Sequence, residues 1–143
     1  MTIFLNKFYK LNNMKTMYDS IPPKVVREGK IVRIFFDFVP VEIQVANNDE
    51  DTSLSETKTI TKFEGININL TGTIDYDKLV DSIISEKYPT SNQFAIIMNK
   101  QKAQTDPDAD KSAEYLSDYD ELEAYTDHSK EVAKELLTAI ESL

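Results

Sequence analysis

Asp106-Pro107-Asp108-Ala109-Asp110 is the one stretch whose residue types and spacing could hold a metal ion. Alternate carboxylates can converge on calcium, as at the head of an EF-hand loop. Such a loop also needs a glycine for its turn and a bidentate glutamate at its twelfth position. Lys111 and Ser117 stand there instead. Asp106, Asp108 and Asp110 are thus calcium candidates that lack two decisive partners, and an acidic linker feeding a helix N-terminus accounts for them better. Asn47 to Ser53 is also rich in oxygen side chains, but without regular ligand spacing it reads as a solvated hairpin tip. His128 is the only histidine, so no two-histidine zinc site can form. Its neighbour Ser129 cannot serve it as a nucleophile, because adjacent residues on a helix diverge by about 100°. There is no cysteine, and the three glycines are not grouped as a phosphate loop. No catalytic residue and no cofactor is assigned, and the expectation is a non-enzyme.

The elements that would position any such groups centre on Lys30 to Leu70. Val32, Ile34, Phe36 and Phe38 are apolar at even positions, and Val41, Ile43 and Val45 at odd ones. Side chains alternate faces along a strand, so this slip of one residue requires a bulge near Val39-Pro40. Pro40 cannot donate to a ladder, which fits an edge or a break. The chain returns through Thr57 to Phe63 and, after Gly65, through Ile66, Ile68 and Leu70. Folding back around Asn47 to Glu56 places Pro40 opposite Phe63 to Gly65 and predicts a curved ribbon with a concave apolar face. Phe35 points the other way, toward a second packing layer or another subunit. Lys24 to Arg27 can add a short strand before the turn at Glu28-Gly29, after the stiff connector Ser20 to Pro23.

Three helices follow. Tyr76, Leu79, Val80, Ile83, Ile84 and Tyr88 mark one face of a helix over Asp75–Tyr88, capped by Asp75 and stopped by Pro89. Thr90 to Gln93 fits a capping box opening a helix over Ser91–Lys102, with Phe94, Ile97 and Met98 on one side. A buried strand over Phe94–Met98 is the alternative. Beyond the linker Gln104–Asp110, a long acidic helix spans Ser112 to Leu143. Its stripe of Tyr115, Tyr119, Leu122, Ala133, Leu136, Ile140 and Leu143 is interrupted by Thr126 and Ser129. The fold class expected is α+β: a curved antiparallel β-hairpin or small sheet packed by short helices, with a long acidic C-terminal helix. Residues 1–13 form an N-terminal arm, 14–105 the α+β core and 106–143 the acidic linker and helix.

Charge divides the chain. Up to Val45 seven basic residues face four acidic ones, whereas Asp106 to Leu143 carries twelve acidic and three basic residues. The net charge of −9 repels phosphate backbones, so nucleic acid is not an expected partner. No apolar run reaches the roughly 20 residues of a membrane span, and no signal peptide is expected from the short apolar stretch at the first residues. The candidate contact residues are therefore outward aromatic and apolar groups: Phe4, Phe8 and Tyr9 on the arm, Phe35 on the sheet, and Tyr115, Tyr119 and Leu122 on the last helix.

Met14 to Pro22, Gly72 to Val80 and the Lys87-Tyr88-Pro89 turn carry a resemblance, together with the acidic, tyrosine-containing ending from Glu114-Tyr115 through Ala133-Lys134. The chain resembles short uncharacterised proteins encoded beside tail genes in phages and prophages of Bacteroides-type gut bacteria. The thirteen residues before Met14 depart from that pattern, and Met14 could itself be a translation start. The resemblance implies a virion or assembly component, located in the particle or in the bacterial cytoplasm during assembly. Its partners would be other virion or assembly proteins, or further copies of itself. It transfers no activity and no functional residue. Two other readings stand beside it. One is a calcium- or ligand-binding extracellular module; the other is an acidic decoy that occupies a basic host protein.

Overall fold

The computed structural model describes residues 15–46 and 57–143. Four antiparallel strands form one sheet in the order β1-β4-β3-β2: β1 Lys15–Tyr18, β2 Val25–Glu28, β3 Ile31–Ala46 and β4 Thr57–Thr71. Three helices follow, α1 Tyr76–Lys87, α2 Thr90–Thr105 and α3 Ser112–Glu141. The class is α+β, as the alternation and helical spacing predict. The arm 1–13 and the hairpin tip 47–56 lie outside the described residues, and with them Phe4, Phe8 and Tyr9.

The long β3–β4 hairpin is the frame. Ile34 pairs with Ile68 and Phe36 with Ile66, and after a register shift Val39 pairs with Glu64 and Pro40 with Phe63. The bulge therefore falls at Asp37-Phe38, slightly earlier than the sequence pattern suggests. Phe38 is the reason. It does not continue the Val32-Ile34-Phe36 row but turns to the opposite face, where its ring covers Gly65. A Cβ on Gly65 would sit 2.6 Å from Phe38 ring carbons. Asp37 takes φ 57°, a left-handed conformation that aspartate tolerates better than most residues. At the other end of β3, Gly29 at φ 61° makes the tight turn that pairs Glu28 with Ile31.

One face of the sheet holds the core. Val32, Ile34, Phe36, Ile66 and Ile68 meet Leu79, Val80, Ile83 and Ile84 of α1 and Val132, Ala133 and Leu136 of α3. Asp75 caps α1 by accepting from the Lys78 N–H at 2.8 Å. The opposite face carries a small aromatic layer. Tyr18 meets Phe35 edge-on at 5.8 Å and Phe38 at 5.6 Å. Phe35 is buried in this layer, so it forms a second packing layer within the chain.

Two expectations need correction at the helices. No capping box opens α2: Pro89 is its N-cap, and the Gln93 side chain donates instead to the Tyr88 carbonyl at 2.8 Å. The C-terminal helix does not stand apart from the core. Val132, Ala133 and Leu136 join the same hydrophobic cluster as the sheet. The polar interruption of its stripe is absorbed locally. Ser129 is fully buried and donates to the Tyr125 carbonyl at 2.7 Å, and Thr126 donates to the Leu122 carbonyl at 2.8 Å. Hydroxyls that back-bond to the preceding turn can be buried without an orphaned donor.

Candidate functional site

The ionisable groups that do converge lie where α3 crosses the β3 bulge. The His128 Nε2–H donates to both Asp37 carboxylate oxygens, at 2.8 and 3.0 Å. Tyr125 packs beside His128 at 6.0 Å between ring centroids and beside Tyr88 at 5.7 Å. The Lys87 ammonium sits 4.5 Å from the centre of the Tyr125 ring, within cation–π range. The Tyr125 hydroxyl is buried without a hydrogen-bond partner. Burial, and after it the Asp37 carboxylate, push its ionisation well above the usual tyrosine range. Burial likewise raises the Glu86 carboxyl, and burial followed by the charges of Glu121 and Asp118 raises Tyr88.

This cluster resembles a hydrolase constellation only in composition. A Ser-His-Asp mechanism needs a hydroxyl within reach of the histidine. Ser129 instead spends its proton on the Tyr125 carbonyl and is sealed from solvent. The Asp37–His128 pair is half-exposed and ties the long helix to the bulge. Its stabilising effect is of the order of a surface ion pair, about 0–1 kcal/mol. Beside it, where the chain has not yet entered β2, a groove of about 220 Å³ opens along the β3 edge. Its walls are apolar (Ile21, Pro22, Phe35, Phe36, Val132, Leu136) and its rim carries Lys24 and Glu135, which pair at 3.6 Å.

The Asp106-Asp108-Asp110 stretch does not gather its carboxylates. Among the described residues no group of three or more histidine, aspartate or glutamate side chains is placed to hold a metal. The Asp106 carbonyl accepts from the Ser112 hydroxyl at 2.6 Å, which fastens the linker to the start of α3. Of the contact residues read from the last helix, Leu122 is buried and Tyr115 half-buried. Tyr119 carries Lys100 over its ring at 3.6 Å. Tyr119 thus faces α2 within the chain.

The free apolar surface lies elsewhere. β2 pairs only with Ile31–Ile34 and β1 only with Phe63–Ile66. Val41–Ala46 and Thr57–Lys62 therefore run on as a two-stranded ribbon for roughly 20 Å. Val41, Ile43, Val45 and Ile60 share one face of it with Lys58 and Lys62, and Val39 and Glu64 continue that face at its root; Val39 and Val45 are exposed, and Val41, Ile43 and Ile60 half-buried. Lys62 is held at the root by Asp19, and that hydrogen bond and charge keep the Asp19 carboxyl below the usual carboxylate range. The second surface is on α2. This helix packs on α3 through the side that includes Lys100 and the buried Ala103. Phe94, Ile97 and Met98 lie exposed, at 65%, 41% and 55%. The helix that carries this stripe is the one its spacing predicts, and the alternative of a buried strand over Phe94–Met98 does not form.

In comparisons with known proteins, no family model, curated protein or solved structure matches this chain. Its function must be read from its own surfaces.

Proposed function

We propose that the protein is a non-enzymatic structural or assembly component that works through protein–protein contacts, of the phage-tail kind that the resemblance implies. The observation that supports this reading is the exposed apolar side chains on two regular elements, Val39 and Val45 on β3 and Phe94, Ile97 and Met98 on α2. A monomer rarely leaves a row of Val, Ile, Phe and Met side chains uncovered on a regular element unless something docks there. The ionisable cluster at Asp37 and His128 acts as a brace in this reading. Both outward arms, the ribbon beyond Asp37 and the half of α3 before His128, begin at that pair. A brace there fixes the angle at which the arms are presented.

Mass spectrometry of purified particles from a producing host tests the assignment. Recovery of the chain at a fixed ratio to tail proteins supports it, and absence from both particles and assembly intermediates refutes it. The calcium-binding reading has no gathered donor set among the described residues to support it. Calorimetry with calcium checks it directly, a site lost in Asp108→Asn being the result that would revive it.

A further inference from the structure

We propose that the free edge of β4 over Thr57–Thr61 is a homodimer interface, to which β4 of a second copy adds antiparallel with Thr59 opposite Thr59. This deepens the contact-protein reading above and rests on it.

The main chain decides what kind of partner this edge takes. β1 pairs with β4 only over Phe63–Ile66, so among the described residues no strand covers Thr57–Lys62 on that side. The Phe35 N–H donates to the Lys24 carbonyl at 2.9 Å, toward β2. Phe35 and Asn67 therefore form a pair that exchanges no bonds between β3 and β4, and Asn67 points its main-chain groups away from β3. The bulge places its extra residue in β3, so alternation along β4 is unbroken. Phe63, Thr61, Thr59 and Thr57 then share the outward phase of Asn67. Pro40, which has no N–H to give, stands opposite Phe63, where β4 asks no donor of β3. Thr57, Thr59 and Thr61 are exposed, and unpaired N–H and C=O groups in that arrangement are a template for an added strand. The other edge of the ribbon is a poorer template, because Pro40 lacks the donor at its root.

A second copy fits because one register satisfies both main chain and side chains. With Thr59 opposite Thr59, Thr57 of each copy lies opposite Thr61 of the other. All the outward threonines then exchange bonds, about six in total. Threonine meets threonine on one face of the joined sheet, and Lys58 meets Ile60 on the other. The two neighbouring registers that keep the bonding phase pair fewer outward residues. They also set Lys58 opposite Lys58, or Lys58 opposite Lys62, which is destabilising. Val45 pairs with Lys58 and Ile43 with Ile60, so the chosen register carries the apolar row of each ribbon across to the other. Tyr18 fills the edge at Phe63, and the added strand stops short of it. The contact uses the same patch on both copies and closes as a twofold dimer.

Light scattering on purified full-length chains tests the pairing. Wild-type protein should rise to twofold the mass of one chain as its concentration is raised. Thr59→Pro removes an outward donor but no bond of the β3–β4 ladder, and should hold the mass at one chain. Thr61→Pro is the second variant, and circular dichroism confirms that each remains folded. Gln44→Pro makes the matching change on the β3 edge and should leave the dimer intact. The register has its own test, since the chain has no cysteine. Lys58→Cys and Ile60→Cys chains should form a disulfide when mixed and oxidised, because such facing Cα atoms lie about 4.5 Å apart. Either variant alone should stay largely uncrosslinked, its two thiols being out of step. A wild-type chain that stays monomeric overturns the proposal, as does a folded Thr59→Pro or Thr61→Pro chain that still dimerises. Equal dissociation by Gln44→Pro, or equal crosslinking of either cysteine variant alone, also overturns it. A monomeric chain whose Thr59→Pro variant is lost from particles would assign the edge to another protein's strand, refuting self-pairing while the assembly reading stands. A dimer absent from particles and assembly intermediates does the reverse, so the two readings fail separately.

Discussion

Ile31–Phe36 and Val39–Ala46 are two halves of one strand, with the same alternation and the same aliphatic residue types, yet they live in different surroundings. Ile34 is 1% exposed and Val32 2%, whereas Val39 is 49% exposed and Val45 41%. The long helix repeats the contrast. Val132, Ala133 and Leu136 lie in the core, while of the turns before His128 only the partly buried Tyr125 packs against that central cluster. What separates inner from outer is the Asp37–His128 crossing. The comparison teaches that periodicity fixes which face of an element is apolar, and that a second element, sometimes from another molecule, fixes whether that face is covered.

Leu136→Ala should produce the largest effect. It opens a cavity where α3 meets the sheet and should cost about 3 kcal/mol in urea unfolding. A loss as small as that of an outer-ribbon change would break the distinction between the halves.

Gly65→Ala tests the boundary itself. The added methyl must displace the Phe38 ring, with an expected loss of about 2 kcal/mol. Phe38→Leu should soften that loss, and a double-mutant cycle should show coupling above about 0.5 kcal/mol. Additive losses would mean that the ring does not seat on Gly65.

Tyr125→Phe should be mildly stabilising, by about 1 kcal/mol, because it deletes a buried hydroxyl that lacks a partner. The pH dependence follows from the same burial. Folding favours the neutral phenol, so this residue's contribution is intact below the free tyrosine value near 10 and is lost as pH rises from there through the elevated folded value. Ultraviolet titration should show Tyr125 ionising later than an exposed tyrosine, and the phenylalanine variant should lose stability less steeply in alkali.

The smallest effect belongs to the ribbon. Val45→Ala should change the stability of dilute protein by less than about 0.5 kcal/mol. A larger loss would show that the ribbon is covered within the chain.

Much of the frame is legible in the residues. The two rows of β3, the cap at Asp75 and the α1 face all rest on neighbours within a few positions, where backbone geometry alone decides what is adjacent. Pro40 opposite Phe63 follows from folding the hairpin at its polar middle. The bulge position was less legible, because Phe38 satisfies the even-position pattern and leaves it only to cover Gly65. Ser129 looked like an interruption, although its hydroxyl is satisfied one turn back. His128 looked solitary, since its partner Asp37 lies 91 residues away. Tyr125 gave no signal apart from its place one helical turn before Ser129.

By itself the sequence determined the α+β class, the strand and helix periods, the absence of any cysteine chemistry and the separation of a basic front from an acidic end. Those properties are local or additive, so no fold is needed to obtain them. Only the tertiary structure decided that α3 closes the core with one half and leaves it with the other. It also decided that Leu122 and Phe35 turn inward, and that the uncovered rows are those of the outer ribbon and α2. Burial depends on which distant surfaces meet, and that is settled by packing the whole chain at once.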